Sequence, residues 1–356
     1  MKLKSLIQSF LFIFLIFSTN FVLADQCKLD GLSDLSTDPP FDSYDGAVQV
    51  SMHPVFVKLG PVDGENYKFY ADFYLNAYWY DEDLADKIYE NSPNEWCQLD
   101  GASVAGKIWT PGIEFINIVE MQDSLIDKIY VSVDGSVHRE RRIQGSFTAD
   151  LNFSQFPFDQ QILNIKTVPF QPDGSVVLNG VEPYGEWSQN LKFSDWNMTK
   201  TEGVEGSVDY LGDTYPTYDF QITLERIANF YLIKVIIPVL VMVLLACGAF
   251  FISPADFDAR LGLTVTLLLT VVAYTFIAGE NLPVLSYLTF TDVFLVFSFL
   301  VCVVSVIFTI IFRLKVGVEY DDNDAATLEM HKISKMTGCL ILALYLGATG
   351  LFYFMI

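Results

Sequence analysis

The stretch from Asp256 to Pro283 combines hydroxyl, apolar and acidic side chains at helical spacing. It is long enough to cross a bilayer, because about 20 residues rising about 1.5 Å each are sufficient. Steps of four and three residues place one set of side chains on a single helical face, acidic at both ends: Asp258, Gly262, Thr266, Leu269, Ala273, Phe276 and Glu280. Such a face suits a water-filled ion path with a hydrophobic constriction and charged mouths. A buried bundle helix whose threonines bond to its own carbonyls explains the same residues, and both interpretations stay open at this point.

The rest of the chain offers little for catalysis. Its three histidines, His53, His138 and His331, are scattered, and the sequence has no nucleotide-binding loop, metal-spaced cysteine and histidine cluster or hydrolytic elbow. We therefore predict that the protein is not an enzyme and that it needs no cofactor, no metal and no nucleic-acid partner.

The composition is divided along the chain. A hydrophobic content of 52% and a formal net charge of −22 conflict in one soluble domain. The acidic residues crowd between Asp25 and Arg226, whereas the residues after Phe230 are overwhelmingly apolar. Residues 1–24 carry two lysines, a short apolar run and a terminal alanine, which is typical of a signal peptide, with an anchor helix as the alternative. We expect the acidic part to be exported.

The cysteines divide in the same way. Cys27 and Cys97 fall in the exported part, where a disulfide can persist. Their pairing is a hypothesis, because the sequence does not supply the Cα separation that a bridge requires. Cys247, Cys302 and Cys339 lie in apolar segments and are expected to be core or lipid-buried thiols.

Residues 25–228 are expected to form an all-β, Ig-like sandwich. Apolar side chains alternate with more polar ones from Tyr67 to Trp79, from Ile129 to Val133 before the turn dipeptide Asp134-Gly135, and from Phe220 to Leu224. Several strands with turn signals between them favour a sandwich over a parallel α/β fold. Short helices are expected near Leu29 to Leu35 and near Leu84 to Tyr89.

Residues 229–356 are expected to form a four-helix transmembrane bundle. Its apolar segments are each long enough to span a bilayer and cover about 230–252, 261–278, 289–312 and 336–356. With an exported N-terminal domain, the first and third links face the cytoplasm. The basic residues agree with this orientation, since they lie in the inner links: Arg260, Arg313, Lys315, Lys332 and Lys335.

These parts occur in an order that resembles one family. The run Phe156-Pro157-Phe158-Asp159 lies between strands of an exported β-domain that precedes four spans, the second of them rich in threonine. Trp79-Tyr-Asp81-Glu-Asp-Leu84 and Trp109-Thr-Pro111 are similar to two strand motifs of the pentameric ligand-gated ion channels, the Cys-loop receptor superfamily. Arg226 and Pro238 take the places of its arginine before the first span and its first-span proline.

The resemblance is to the bacterial branch of that family, including an amine-gated member. The loop cysteines would stand seven residues either side of Phe156, where Ala149 and Leu163 are found. A homopentamer in a bacterial inner membrane, with the N-terminal domain in the periplasm or outside, is what this resemblance implies. Its partners would be a small-molecule agonist, permeant monovalent cations and membrane lipids.

The resemblance also implies a ligand site between neighbouring subunits. Its residues would be Glu114 and Asn117 from the first binding loop, Phe170 from the second, Tyr210 and Tyr215 from the capping loop, and Tyr74 from the adjacent subunit. Aromatic faces and a carboxylate attract an ammonium group, so a cationic amine is the hypothesis for the agonist. Ordinary sandwich core is the alternative role for the aromatics, and Val168 stands where the amine-gated relative has a second glutamate.

Coupling between this site and the pore is expected at the seam between the two domains. The candidates are Asp63, Glu65, Phe156, Pro157, Asp159, Arg226 and Pro283. We predict that Arg226 pairs with a carboxylate, Asp159 first, because a guanidinium at a partly buried seam needs a partner.

The pore face would form rings in a pentamer. Acidic rings of Asp258 and Glu280 favour cations, whereas Ala259-Arg260 resembles the inner-mouth sequence of anion-selective members. The resemblance also implies that Arg260 is turned away from the path. The function predicted is a ligand-gated channel, cation-selective and opened by a small extracellular ligand. The alternative is a periplasmic small-molecule sensor whose spans do not conduct.

Overall fold

The computed structural model describes residues 25–26, 37–40, 46–89, 96–122, 126–171, 175–180, 195–210, 212–279, 285–316 and 325–355. The predicted signal peptide, the helix expected near Leu29 to Leu35, and Cys27, Glu280 and Pro283 lie outside these residues. What was expected of them stays a prediction.

The N-terminal half is a sandwich of two sheets, as the sequence predicted. The first sheet has eight strands, and along it β1, β4, β7, β8, β3, β2 and β10 follow one another, with β6 paired to β8. The second has the order β11-β12-β9-β5. The strands are β1 (Asp25–Gln26), β2 (Val48–Asp63), β3 (Lys68–Tyr80), β4 (Trp96–Asp100), β5 (Glu114–Phe115), β6 (Ile118–Gln122), β7 (Asp127–Ser132), β8 (Ser136–Thr148), β9 (Gln160–Val168), β10 (Val176–Gly180), β11 (Trp196–Tyr210) and β12 (Asp213–Arg226).

Alternation along β3 and β12 fixes the sandwich core. Every second side chain of β3 from Phe69 to Trp79 is buried, and Phe220, Ile222 and Leu224 of β12 are fully buried. Because successive side chains of a strand point to opposite faces, one face of each sheet packs inward and the other stays free for contacts. Two short helices complete the domain, α1 (Glu82–Tyr89) and α2 (Gly101–Val104).

Four helices long and apolar enough to span a membrane follow: α3 (Asn229–Phe251), α4 (Phe257–Gly279), α5 (Phe290–Val316) and α6 (Ala325–Met355). Helix α3 is π-helical from Leu232 to Ile236, and Pro238 follows after one intervening residue. Since proline lacks an N–H, a local change of the hydrogen-bond register accommodates it there. Helix α6 begins at Ala325, whereas the apolar pattern predicted a span from Met336. Its first turns are polar, and hydropathy does not detect a helix that extends beyond the bilayer.

Candidate ligand site, coupling seam and pore face

The first two predicted ligand loops meet in one subunit. Glu114 pairs with Val168 in the β5–β9 ladder, and Phe170 follows directly after β9. Gly112 has a φ of +53°, and a Cβ there would lie 2.9 Å from the Cβ of Phe170, so this close approach requires glycine. Glu114 is exposed, the Phe170 side chain is 69% exposed, and both line a cleft of ≈ 490 Å³.

The side chain of Asn117, predicted to take part in ligand binding, is bonded to the backbone. Its amide nitrogen donates to the carbonyls of Thr148 (3.0 Å) and Asn164 (2.7 Å), and its amide oxygen accepts from the N–H of Lys166 (3.0 Å). Three of the four bonds that an asparagine side chain can make are therefore made to the backbone. These bonds tie the first loop to β8 and β9.

The capping-loop tyrosines lie on the β11–β12 hairpin. Tyr210 pairs with Asp213 across the turn and its side chain is 64% exposed, while Tyr215 is half-buried. Neither lines the cleft that contains Glu114 and Phe170. One chain therefore brings together two of the predicted ligand residues and leaves the hairpin separate.

Tyr74, expected to face the site from a neighbouring subunit, lies on β3 beside an arginine that the sequence analysis missed. The Arg142 guanidinium is 5.6 Å from the centre of the Tyr74 ring and holds Asp72 with two hydrogen bonds of 3.0 and 2.8 Å. Burial disfavours ionised Asp72, but the bonds from Arg142 and Gln144 outweigh it and lower the pKa of this carboxyl. One face of Tyr74 is thus occupied within its own chain.

The predicted ion pair at the seam is present. Arg226 donates to both carboxylate oxygens of Asp159, at 2.6 and 3.0 Å, and the side chains are only 10% and 1% exposed. The guanidinium carbon lies 4.1 Å from the Trp196 ring centre and 4.9 Å from that of Phe156. Gln161 adds a bond of 2.6 Å to Asp159. The last strand before the membrane is thereby fixed to the Phe156–Asp159 loop.

That loop also contacts the membrane helices. The carbonyl of Phe156 accepts from the N–H (3.2 Å) and the hydroxyl (2.9 Å) of Thr291 at the start of α5. The Phe158 ring packs against Phe290 of α5 and Tyr353 of α6, with centres 5.7 and 5.8 Å apart. Pro157 is buried between these contacts. The loop therefore lies where a movement of the sandwich would reach two helices.

The β2–β3 hairpin tip approaches the same loop. A Cβ on Gly64 would lie 2.9 Å from the Phe153 ring, next to the coupling loop. Asp63 is engaged within the tip, where its bonds with Asn66 lower its pKa, and Glu65 is exposed. Of these two carboxylates, Glu65 has the free surface that a contact at the seam requires.

Helix α4 has two different sides. All the predicted pore residues that the structure describes are exposed in the single chain: Asp258, Gly262, Thr266, Leu269, Ala273 and Phe276. The opposite side is buried against α3 and α5, with Leu267 and Val271 in a cluster with Ala246 and Cys302. The Thr266 hydroxyl donates to the Gly262 carbonyl at 2.8 Å, so the back-bonding expected of a bundle helix occurs on the exposed side too.

Arg260 is turned away from the exposed side. It is 1% exposed, donates to the Ser334 hydroxyl of α6 at 3.0 Å and lies over the Phe250 and Phe312 rings. Asp258, two residues earlier, is exposed. The exposed charge at this end of α4 is therefore the carboxylate.

Cys97 takes part in a disulfide, whereas Cys247, Cys302 and Cys339 are free. Since Cys27 lies outside the described residues, its pairing with Cys97 stays a prediction.

Fold and site together define a class of protein in which a β-sandwich is joined to four helices that are long and apolar enough to span a membrane. Residues 35–226 match the neurotransmitter-gated ion-channel ligand binding domain. The chain is 25% identical over 274 residues to a proton-gated ion channel of Gloeobacter violaceus, covering 76% of this chain and 74% of that protein. It is 28% identical over 285 residues to the human gamma-aminobutyric acid receptor subunit rho-2, covering 77% of this chain and 59% of the subunit.

The chain belongs to the neurotransmitter-gated ion-channel family. As the sequence predicted, it is thus a member of the ligand-gated channels and not an enzyme. It spans about half to three quarters of the length of the curated relatives that it matches.

Proposed function

We propose that the chain forms a homopentameric, cation-selective channel of a bacterial inner membrane, opened by a small extracellular amine bound between subunits. The observation that carries cation selectivity is the separation of charges at one end of α4. Asp258 is exposed, while Arg260 is 1% exposed and bonded to Ser334. Five copies around an axis would present a ring of carboxylates without a ring of guanidinium groups, and such a ring attracts cations.

The closed barrier is assigned to the apolar part of the same face. Leu269 and Phe276 are 66% and 73% exposed in the single chain, with Ala273 between them. An exposed apolar side chain of a spanning helix faces lipid, a neighbouring subunit or a pore, and the carboxylate of Asp258 and the hydroxyl of Thr266 on the same face favour the pore. Rings of these residues can stop ion flow by excluding water.

The amine is proposed from the residues around the first two binding loops. Glu114 supplies a carboxylate and Phe170 an exposed aromatic face in one cleft, and Tyr215 or Tyr210 would close over them. An ammonium over an aromatic ring gains about 0.5 to 2 kcal/mol. Tyr74 of a neighbouring subunit would use the ring face that Arg142 leaves open.

Reconstitution of the purified protein in planar bilayers tests the channel. Amine-evoked unitary currents are expected, and Leu269→Trp should abolish or strongly reduce them. Leu340→Trp is a matched control, because Leu340 is similarly exposed (59%) but lies on α6. An amine-binding protein that carries no current under any condition would instead favour a non-conducting sensor.

The reversal potential tests selectivity in the same experiment. In a tenfold NaCl gradient, a perfectly cation-selective pore has a reversal potential of about 59 mV, equal to the equilibrium potential of the cation. Asp258→Asn should move this potential toward zero. A wild-type potential of the anion sign would refute the assignment of Asp258.

A further inference from the structure

The cleft beside the proposed agonist loops is lined by residues of a single chain. Besides Glu114 and Phe170 they include Phe115 of β5, Ile118 and Met121 of β6, and Arg139 and Arg141 of β8. A cavity of ≈ 490 Å³ is within the size range of small-molecule sites. Nothing in the amine hypothesis uses its basic end.

The two arginines are not equivalent. Arg139 holds both oxygens of Asp127, at 2.8 and 2.7 Å, so its charge is compensated. Arg141 makes one long bond, 3.3 Å, to the carbonyl of Ile113. Its Nε–H is buried and has no hydrogen-bond partner among the described residues. A buried donor without a partner carries a desolvation penalty that a ligand acceptor would remove.

Arg141 also has no ion pair of its own among the described residues, because Asp127, its neighbour on β7, is bonded to Arg139. Burial lowers the pKa of Arg141, and the neighbouring Arg139 adds to this effect, while Asp127 opposes it. A guanidinium nevertheless stays protonated in proteins. The cleft therefore has a positive end whose fork of N–H groups matches the two oxygens of a carboxylate.

The other lining residues of the cleft indicate which further chemical groups a ligand would have. Phe115, Ile118 and Met121 offer an apolar surface, and Phe170 offers an aromatic face. Glu114, in the same lining, is a carboxylate without an ion pair among the described residues, and it would repel a second negative charge.

We propose that this cleft binds a small monocarboxylate bearing an aromatic or branched apolar group, with the carboxylate on Arg141 and the apolar group under Phe170. The site lies within one subunit, so it goes beyond the proposed amine site between subunits. A bound acid would contact Phe170 from inside the chain and so influence how this ring meets an amine. Binding itself requires neither a pentamer nor a conducting pore.

Binding to the purified full chain in detergent tests the proposal, with benzoate as probe and benzamide as its neutral analogue. Benzoate should bind in calorimetry and benzamide should not, because only the acid can compensate the guanidinium. Arg141→Gln should weaken benzoate binding roughly ten- to a hundredfold, as expected for bonds to a charged group. Lys107→Gln is the control, since it removes the same formal charge at an exposed position outside the cleft.

Met121→Trp provides a second variant that leaves Arg141 in place. Met121 is 53% exposed, so the substitution should be tolerated, and the larger ring would fill the cleft and block benzoate. Wild-type protein that does not bind benzoate, or that binds benzamide equally well, overturns the proposal. Equal benzoate binding by wild type and both variants does the same. Failure of the amine currents would leave this result unaffected.

Discussion

Asp159→Asn is the substitution whose effect the structure defines best. The Asp159 side chain is 1% exposed and lies in a bidentate pair with Arg226, whose guanidinium is enclosed by Trp196 and Phe156. Loss of one partner leaves a buried charge without compensation, which costs about 3–5 kcal/mol. For a domain of about 150–250 residues, 1 kcal/mol shifts the melting temperature by about 2–4 °C. We therefore expect the melting temperature of the sandwich to fall by about 6–20 °C.

Thermal unfolding of the full chain, followed by near-UV circular dichroism, measures this shift. Asp150→Asn is the matched control, because Asp150 is an exposed carboxylate a few residues earlier. The double variant Asp159→Asn/Arg226→Gln should lose less than the sum of the two single changes, since no unpaired charge remains. Strictly additive shifts, or equal shifts for Asp159→Asn and Asp150→Asn, would refute the idea that this pair fixes the seam.

Two further perturbations test the extracellular domain. Phe170→Ala should raise the half-maximal amine concentration roughly 2- to 30-fold, as loss of a 0.5–2 kcal/mol ring contact predicts. Ile162→Ala, at an exposed apolar position within β9, should leave the curve unchanged, and an unchanged curve for Phe170→Ala removes that ring from the site. The His138 ring is stacked 4.4 Å from Tyr78, and burial, with a contribution from His53, lowers its pKa. The unfolded chain then binds this proton more readily, so stability should fall as pH drops below about 6.5. His138→Gln should flatten that dependence, and an unaltered slope would assign it to other groups.

The architecture was predictable because its signals are local. Alternation identifies a strand whichever partner it pairs with, and β3 and β12 were found in this way. Hydropathy identifies a span by its length of apolar residues, but it missed the polar first turns of α6. The pair of Arg226 and Asp159 could be predicted because the family resemblance placed both residues at the seam, where a guanidinium needs a carboxylate partner.

The cleft was not predictable, because it depends on register. Arg139, Arg141 and Arg142 stand almost side by side in the sequence, yet Arg139 binds an aspartate 12 positions away and Arg142 one 70 positions away. Only when both pairings are known does it become apparent that Arg141 has no carboxylate of its own to pair with. Alternation along β8 could have placed Arg139 and Arg141 on one face, opposite Arg142.

Two assignments needed side-chain conformations. The family resemblance implied that Arg260 turns away from the pore path, but it did not give the partner, Ser334, which lies 74 positions further along the chain. Asn117 matched a binding-loop position, and only the bonds of its amide to β8 and β9 show that its polar atoms are already engaged. In both cases a long-range hydrogen bond decided the direction of the side chain.

The low burial of α6 has a practical consequence for counting subunits. Only 11% of the most apolar stretch of α6 is buried, against 39% for α5. The thiol of Cys339 on α6 is exposed, while those of Cys247 and Cys302 are buried. Among the free thiols that the structure describes, Cys339 is therefore the one that a membrane-permeant maleimide dye can reach in each chain. Single-molecule photobleaching of protein labelled at this native cysteine would report stoichiometry directly, with up to five steps for the proposed pentamer and no engineered label site.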